Sequence, residues 1–170
     1  MKSGRIELKA GGDIQLRQFT AGDADAIFAL IDRNREHLSQ HGDVTAMKYP
    51  TKESVMESIE HPINPAKLRF GIWIADAFVG SVNLTPDMRL SAEIGCYLGK
   101  EFTGRGYMTR SISRTVRYGF EDMGLREIYA KIQRNNHPSV KLIGRAGFLP
   151  DESRSNATEL YYFCLKDNPA

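Results

Sequence analysis

The segment that most constrains the fold spans residues 92–123. It opens with an apolar run ending at Leu98, which predicts a strand near the centre of a sheet. A tight loop with two glycines follows at 103–108. Apolar residues then recur every three or four positions and share one helix face: Met108, Ile112, Val116, Phe120 and Met123. A strand that turns through glycines into a helix directs several N–H groups to one point, so the segment predicts a phosphate site.

Two well-known phosphate loops fit this glycine pair less well. A Walker loop ends in Gly-Lys-Ser/Thr, whereas Gly106 is followed by Tyr107. A dinucleotide loop needs a third glycine where Thr109 stands, and it normally opens the first βαβ unit. Here the loop comes late, and the next strand carries Lys131 and Arg134. On the pattern alone, an ordinary glycine turn between strand and helix remains open.

Size and composition indicate one globular domain covering residues 1–170. The chain is 41% hydrophobic and 26% charged, which is ordinary for a soluble protein. A net charge of +2 gives no signal for nucleic-acid binding. We see no secretory signal and no apolar run of membrane-spanning length, so we expect a cytoplasmic protein without a membrane partner.

The cysteines and histidines do not form a recognisable metal or disulfide pattern. Cys96 and Cys164 lie in predicted strands far apart in sequence, and we expect reduced thiols in the core. Spacings such as HExxH or paired CxxC do not occur, so we expect no metal.

The order of the predicted elements favours an α/β fold with a mixed sheet and helices on both faces. We expect a loosely ordered start at 1–12, with Ile6 and Leu8 in a short strand. We expect a helical region at 34–41 and a loop at 42–51. The other predicted elements are a strand at 14–19, a helix through 26–31, a helix at 52–61, a hairpin of 68–75 and 78–84, a strand at 127–133, a helix at 138–146 and a strand at 160–165.

The exact residues of three segments are more informative than their pattern of hydrophobic residues and glycines. AEIGCYLGKEFTGRGYMTRSI, from Ala92, resembles the acetyl-CoA-binding segment of the GNAT acetyltransferases. RNNHPSVKLIGRAGF, from Arg134, resembles the second signature of that family. NREHL, from Asn34, is similar to the RimL/RimJ branch, which acetylates protein N-termini, including those of ribosomal proteins. The segments occur in family order and span most of the chain.

The resemblance implies that acetyl-CoA lies between splayed fourth and fifth strands. Backbone N–H groups of the loop would hold the pyrophosphate, the strand end would pair with the pantetheine arm, and an N–H near Leu98 would face the thioester oxygen. Thr103 stands where Gln or Arg is usual, and Met108 where Gly or Ala is usual. The implied cofactor-binding residues are Tyr97, Leu98, Gly99, Thr103, Gly104, Arg105, Gly106, Tyr107, Met108, Thr109 and Asn136.

The proton-handling residues are less typical of the family. Many members place a Tyr where this chain has Ile143. The resemblance to RimL-like relatives implies Ser139 as the alternative acid, and capping of the following helix is its other possible role. Glu93 is the leading catalytic carboxylate, because strand alternation puts it on the same face as Tyr97. A strand-end charge in solvent or an ion pair would equally explain Glu93.

The acceptor amine follows only from the resemblance. The NREHL segment lines the acceptor groove in that family, which implies substrate contacts for Asn34 and His37; a solvated helix histidine is the other interpretation of His37. A protein N-terminal α-amine is the expected acceptor. The alternatives are a small amine (polyamine, aminoglycoside or amino acid) or a non-catalytic acyl-CoA-binding module. Family members often form homodimers, and the sequence does not decide this.

Overall fold

The computed structural model describes residues 4–167. Within them the chain forms an eight-stranded sheet and five α-helices, and 3-10 turns occur at Ala21–Asp23, His37–Gly42 and Lys100–Phe102. The elements in order are β1 (Glu7–Lys9), β2 (Ile14–Gln18), α1 (Ala24–Arg33), α2 (Thr45–Lys48), α3 (Lys52–Glu60), β3 (Leu68–Ile74), β4 (Ala77–Pro86), β5 (Ser91–Leu98), α4 (Tyr107–Glu121), β6 (Glu127–Gln133), α5 (His137–Arg145), β7 (Leu149–Pro150) and β8 (Glu159–Leu165).

The sheet is mixed, as the element order predicts. Its strand order is β1-β2-β3-β4-β5-β6-β8-β7, and every neighbouring pair is antiparallel except β5 and β6. The parallel pair follows from its connection, because only a crossover such as α4 can return the chain to run parallel to β5. The fold class is therefore confirmed.

The parallel pair separates soon after it begins. Ser91, Ala92 and Glu93 pair with residues 127–129, and beyond them β5 has no partner on that side within the described chain. β6 stays paired with β8 along its whole length, and β5 stays paired with β4. The two halves of the sheet thus diverge at β5 and β6, which are the fourth and fifth strands when the short β1 is left out of the count. The expected splay is confirmed.

Helices cover both faces of this sheet. On one face α4 buries its apolar stripe, Met108, Ile112, Val116 and Phe120, and α5 adds Ile143. Each fully buried side chain of this size contributes roughly 1.5–3 kcal/mol, so the stripe holds α4 firmly against the strands. On the other face α1, α2 and α3 pack in a second cluster against Trp73 and Phe78 of the hairpin: Ala24, Ile27, Leu30, Ile31, Ala46 and Val55.

Several predicted helix ends are confirmed by their caps. Thr51 accepts a hydrogen bond from the Ser54 N–H at 3.2 Å and begins α3. Gly124 and Gly147 follow α4 and α5 with left-handed φ angles of 71° and 83°. Glycine reaches such angles without the steric cost that a Cβ imposes.

Three expectations were partly wrong. The short strand expected at Ile6 and Leu8 is present as Glu7–Lys9, which includes Leu8 but not Ile6. Because this strand pairs with β2, residues 4–12 are not a loose start; Met1–Ser3 lie outside the described residues. The helical region expected at 34–41 does not continue α1, which ends at Arg33; it restarts as the 3-10 turn His37–Gly42, in which His41 adopts a left-handed φ of 55°. The expected loop at 42–51 contains α2, whose first N–H, that of Thr45, donates to Asp43 Oδ1 at 2.7 Å.

Gly80 lets β4 and β5 approach at the point where β5 reaches the gap. A Cβ at Gly80 would overlap the carbonyl oxygen of Tyr97 and lie 3.0 Å from Leu98 Cα, and backbone atoms cannot rotate away. We predict that Gly80→Ala lowers the free energy of unfolding by about 2–3 kcal/mol, the usual range for overpacking. Urea unfolding would measure it.

Gly144 provides the matched control for that change. It lies in α5, and a Cβ added there would meet no atom within 4 Å. Gly144→Ala should raise the free energy of unfolding by about 0.5–1 kcal/mol, because alanine favours the helix. Equal stabilities of the two variants would contradict the close approach of β4 and β5.

Candidate active site

A cavity of about 700 Å³ opens where β5 and β6 diverge. Its walls are the end of β5, the glycine loop with the first turn of α4, the first turn of α5 and the 3-10 turn His37–Gly42. Most of the predicted cofactor residues meet there: Tyr97, Leu98, Thr103, Gly104, Gly106, Tyr107, Met108, Thr109 and Asn136. Gly99 and Arg105 lie outside the lining.

The glycine loop presents an unbroken run of free N–H groups. Thr103 closes the preceding turn, with its hydroxyl donating to the Lys100 carbonyl at 2.8 Å. Gly104 and Gly106 both have φ angles of 75°. The first helical hydrogen bond is made by the Arg110 N–H to the Gly106 carbonyl at 3.2 Å. Among the described residues, none of the N–H groups of residues 104–109 has a protein acceptor.

This loop fits a pyrophosphate. A Cβ at Gly104 or Gly106 would meet no atom within 4 Å, so the space beside the loop is open. The free N–H groups and the positive end of α4 favour an anion in that space. The Met108 side chain is only 6% exposed and packs in the core. Met108 therefore contributes its N–H alone, and the unusual side chain does not narrow the loop.

The strand end offers one backbone edge to the gap. The Gly99 N–H donates to the Val79 carbonyl of β4 at 2.9 Å. Hydrogen bonds alternate along an antiparallel strand, so Tyr97 also faces β4, while Cys96 and Leu98 face the gap. The expected pairing of Tyr97 and Gly99 backbones with the pantetheine arm is thus wrong. The Leu98 N–H faces the gap, which is the direction needed for the predicted hydrogen bond to the thioester oxygen.

The first turn of α5 forms the opposite wall. Asn136 Oδ1 accepts a hydrogen bond from the Ser139 N–H at 3.2 Å, so Asn136 caps the helix and also lines the cavity. Within the described residues the Ser139 hydroxyl has no hydrogen-bond partner, and the residue lines the same cavity. Ser139 itself does not cap the helix, which leaves its hydroxyl available to donate.

A second cavity of about 430 Å³ joins the first at Asp43, Cys96 and Tyr97. It extends along the β5 face that carries Gly95 and Glu93, and it lies beside β4 and α2. We call this second cavity the acceptor cleft, and we call the three residues that it shares with the first cavity, Asp43, Cys96 and Tyr97, the junction.

Glu93 lies in the acceptor cleft at a distance from that junction. It stands three positions before Cys96, which is about 10 Å along a strand. Its carboxylate pairs with Lys131 at 3.7 Å, and both side chains are partly exposed. Glu93 lines the second cavity but not the first.

Lys67 brings a cation to the same cleft. Its pKa is lowered, chiefly by desolvation and then by the charges of Lys48 and Arg69, while Glu93 acts in the opposite direction. Sequence patterns did not indicate Lys67, because it precedes β3 in a segment interpreted only as a turn. The acceptor cleft therefore has both signs of charge on its walls.

The two predicted acceptor residues have different surroundings. Asn34 is 5% exposed: its Nδ2 donates to the Leu30 carbonyl at 3.0 Å, and its Oδ1 accepts from the Lys100 N–H at 2.9 Å. It contacts neither cavity, so it supports the site and does not reach an acceptor. His37 lines the first cavity, and its contact with an acceptor stays a prediction.

The side chains of Cys96 and Tyr97 line the junction. Cys96 is exposed to the cavity and is not a core thiol as expected, whereas Cys164 is buried. Desolvation by the surrounding walls, with a smaller effect of the Asp43 charge, raises the pKa of the Cys96 thiol to about 12. Desolvation likewise raises the pKa of the Tyr97 phenol. Cys96 is therefore a neutral thiol and unsuited to be a nucleophile.

Residues 4–167 contain no cluster of three or more His, Cys, Asp or Glu side chains that could hold a metal ion. No helix among them combines the length and apolar character needed to cross a membrane.

Comparison with known proteins identifies the family. Residues 13–149 match the family described as "Acetyltransferase (GNAT) domain". The chain belongs to the GNAT acetyltransferases. It is 30% identical to the probable N-acetyltransferase YjcK of Bacillus subtilis over 147 residues, 81% of each chain. The protein is therefore an acetyl-CoA-dependent N-acetyltransferase. The prediction that it is an enzyme is confirmed.

Solved structures share the fold at low identity. RimL, a ribosomal alpha-N-protein acetyltransferase in complex with coenzyme A, superposes with a TM-score of 0.84 at 16% identity over 94% of this chain and 98% of that one. The spermidine N-acetyltransferase of Vibrio cholerae, in complex with CoA and spermine, gives 0.75 at 22% identity over 93% and 98%.

The phosphate loop can be tested by ligand-induced stabilisation. Acetyl-CoA at about 100 times its Kd should raise the Tm of the wild type by roughly 5–10 °C. We predict that Gly106→Glu removes this shift, because a carboxylate enters the open space beside the free N–H groups. Differential scanning fluorimetry with and without acetyl-CoA measures it.

Gly124 supplies the control for backbone strain. It lies beyond the other end of α4 with a φ of 71° and, like Gly106, no atom within 4 Å of an added Cβ. Gly124→Glu should lower the Tm of the free protein to a similar degree and keep the acetyl-CoA shift. Loss of the shift in both variants would contradict a specific phosphate loop.

Proposed function

We propose that this acetyltransferase acetylates the α-amine of a protein N-terminus, as the RimL-like branch does. The main support is the form of the acceptor cleft, which is open along β5 and continues from the junction past Gly95 to Glu93. An extended chain end can lie along such a cleft with its amine at the junction.

The rim of the cleft suits a peptide side chain. Val44 lines the cleft and is 40% exposed although it is apolar. An exposed apolar residue at the mouth of a site gains free energy when a ligand covers it, at roughly 25 cal/mol per Å². Peptides supply apolar side chains near their amine, whereas polyamines supply only methylenes and charges. The names of the RimL neighbour and of a Vibrio fischeri ribosomal-protein-S5-alanine acetyltransferase point the same way.

A small polyamine is the second candidate. Asp43 and Glu93 are carboxylates on the cleft walls, and a polyamine would place one ammonium near each. The spermidine N-acetyltransferase with a similar fold supports this possibility. Lys67 weighs against it, because a cation in the same cleft repels a second ammonium.

The roles of this chain's residues follow from their positions. Acetyl-CoA would supply the acetyl group as a thioester. The loop N–H groups would hold the pyrophosphate of its coenzyme A part. The Leu98 N–H is placed to donate to the thioester oxygen, and the Ser139 hydroxyl is placed to donate a proton to the departing sulfur. Glu93 acts through water, as an acceptor for the amine proton or an attraction for the cation. A cytoplasmic location, a homodimer, a single domain over 1–170 and independence of metal stay predictions.

Ser139 can be tested separately from cofactor binding. We predict that Ser139→Ala lowers kcat by roughly 10²-fold, the lower range for loss of a positioned proton donor, and leaves the Tm shift by acetyl-CoA unchanged. Steady-state assays at saturating acetyl-CoA, using peptides that begin with Ala or Ser and spermidine, measure kcat. An unchanged kcat with every accepted amine would eliminate Ser139 as the acid.

Val44 can distinguish the two acceptor classes. We predict that Val44→Ser raises the KM of a peptide acceptor about fivefold, which corresponds to the loss of about 1 kcal/mol of apolar contact. The KM of spermidine should not change.

Met47 lies in α2, three residues after Val44, and is 74% exposed, but it does not line the cleft. Met47→Gln is therefore the control and should keep both KM values. Efficient acetylation of spermidine with none of the peptides would refute the proposed acceptor.

A further inference from the structure

Two carboxylates line the cavities, and they lie at different distances from the reaction. Glu93 lines only the acceptor cleft, about 10 Å along β5 from Cys96. Asp43 lines both cavities and therefore lies at their junction. Glu93 also pairs with Lys131, whereas Asp43 has no ion-pair partner among residues 4–167.

The backbone fixes the Asp43 side chain in place. Left-handed φ angles at His41 and Gly42, 55° and 78°, turn the chain from the 3-10 turn toward the cleft. Asp43 Oδ1 then accepts the Thr45 N–H at 2.7 Å and caps α2. This bond uses one carboxylate oxygen, and the structure gives Oδ2 no partner within the described residues. A half-buried carboxylate with one fixed and one free oxygen is a preorganised acceptor for an N–H donor.

The neighbourhood of Asp43 is consistent with this position. Its charge reaches both junction side chains, since it contributes to the raised pKa of Cys96 and of Tyr97. A half-buried charge acts more strongly on a cation than the same charge does in water. The nearby cations act on Glu93: Lys67 lines the cleft and interacts with the Glu93 charge, and Lys131, outside the cleft lining, pairs with Glu93.

We propose that Asp43 holds the acceptor at the junction, with its Oδ2 accepting a hydrogen bond from the amine that is to be acetylated. The inference rests on the amine acetylation proposed above and applies to a peptide and to a small amine alike. Glu93 then serves the outer part of the acceptor. The cap on α2 couples acceptor binding to the order of the segment that carries Val44.

Asp43→Asn is the informative variant. The amide keeps an oxygen to accept the Thr45 N–H, so the cap and the fold are retained, while the free carboxylate oxygen is lost. Glu36→Gln removes one charge from the same region outside both cavities and is the control. Thermal melts should give both variants the wild-type Tm shift with acetyl-CoA.

Cys96 reports on the junction without turnover. Its alkylation by iodoacetamide, followed by peptide mass spectrometry, should be about threefold faster in Asp43→Asn at pH 8.5, because a like charge no longer opposes the thiolate. Peptides that begin with Ala or Ser, and separately spermidine, should slow this alkylation by occupying the junction. The concentration that halves the rate measures acceptor affinity.

We expect that concentration to be about tenfold higher in Asp43→Asn than in the wild type and in Glu36→Gln, as for loss of a charge-assisted hydrogen bond. A peptide with an acetylated N-terminus should show no difference between the variants. Equal protection of wild type and Asp43→Asn, or no protection by either free amine, overturns the proposal. Protection by spermidine alone would instead reject the peptide acceptor and leave the role of Asp43 supported by the comparison of variants.

Discussion

The early end of the parallel pairing between β5 and β6 is the constraint on which the site depends. Backbone polar groups that lie inside a protein must be paired, and beyond this short pairing each of the two strands keeps only one partner in the described chain. β8 pairs with one edge of β6 and β4 with one edge of β5, so the N–H and C=O groups on the edges that face each other have no strand partner in the described chain. The open edge of β5 is a template for an extended ligand. The same divergence makes the room that the ligand needs.

The helix α4 turns this gap into an anion site. Its buried stripe fixes the helix axis against the sheet, and its N-terminus consequently opens beside the end of β5. Gly104 and Gly106 take left-handed angles so that the loop can reverse direction within a few residues. Side chains at this loop contribute little: Met108 packs inward, and Arg105 lies outside the cavity. Backbone geometry therefore explains why the atypical Thr103 and Met108 are compatible with the cofactor.

The sequence predicted what is local and missed what depends on distant residues. The strand, loop and helix of the phosphate site are contiguous, so periodicity and glycines were sufficient to predict them. The cap at Thr51 and the hairpin were predictable for the same reason. The acceptor cleft combines Asp43, Lys67 and Glu93 from three separate segments, and no spacing rule joins them. α2 was missed because its four residues are ordered by the Asp43 cap and by packing of Ala46. Asn34 was assigned to the acceptor because its segment is family-like, although burial directs its side chain to the backbone.

The hydrogen bonds of Asn34 connect the helical layer to the segment before the glycine loop. The Asn34 amide joins the end of α1 to the Lys100 N–H, directly before the glycine loop. Arg33 reinforces this connection through an ion pair with Glu101 at 2.7 Å, although both partners are partly exposed and their pair contributes little by itself. The buried amide bonds matter more, since an unpaired amide would cost about 1–3 kcal/mol. The helical layer that carries Asp43 is thus attached to the loop that carries the phosphate site. A reaction between two ligands requires such a connection, because an error of about 1 Å between them can cost about 10²-fold in rate.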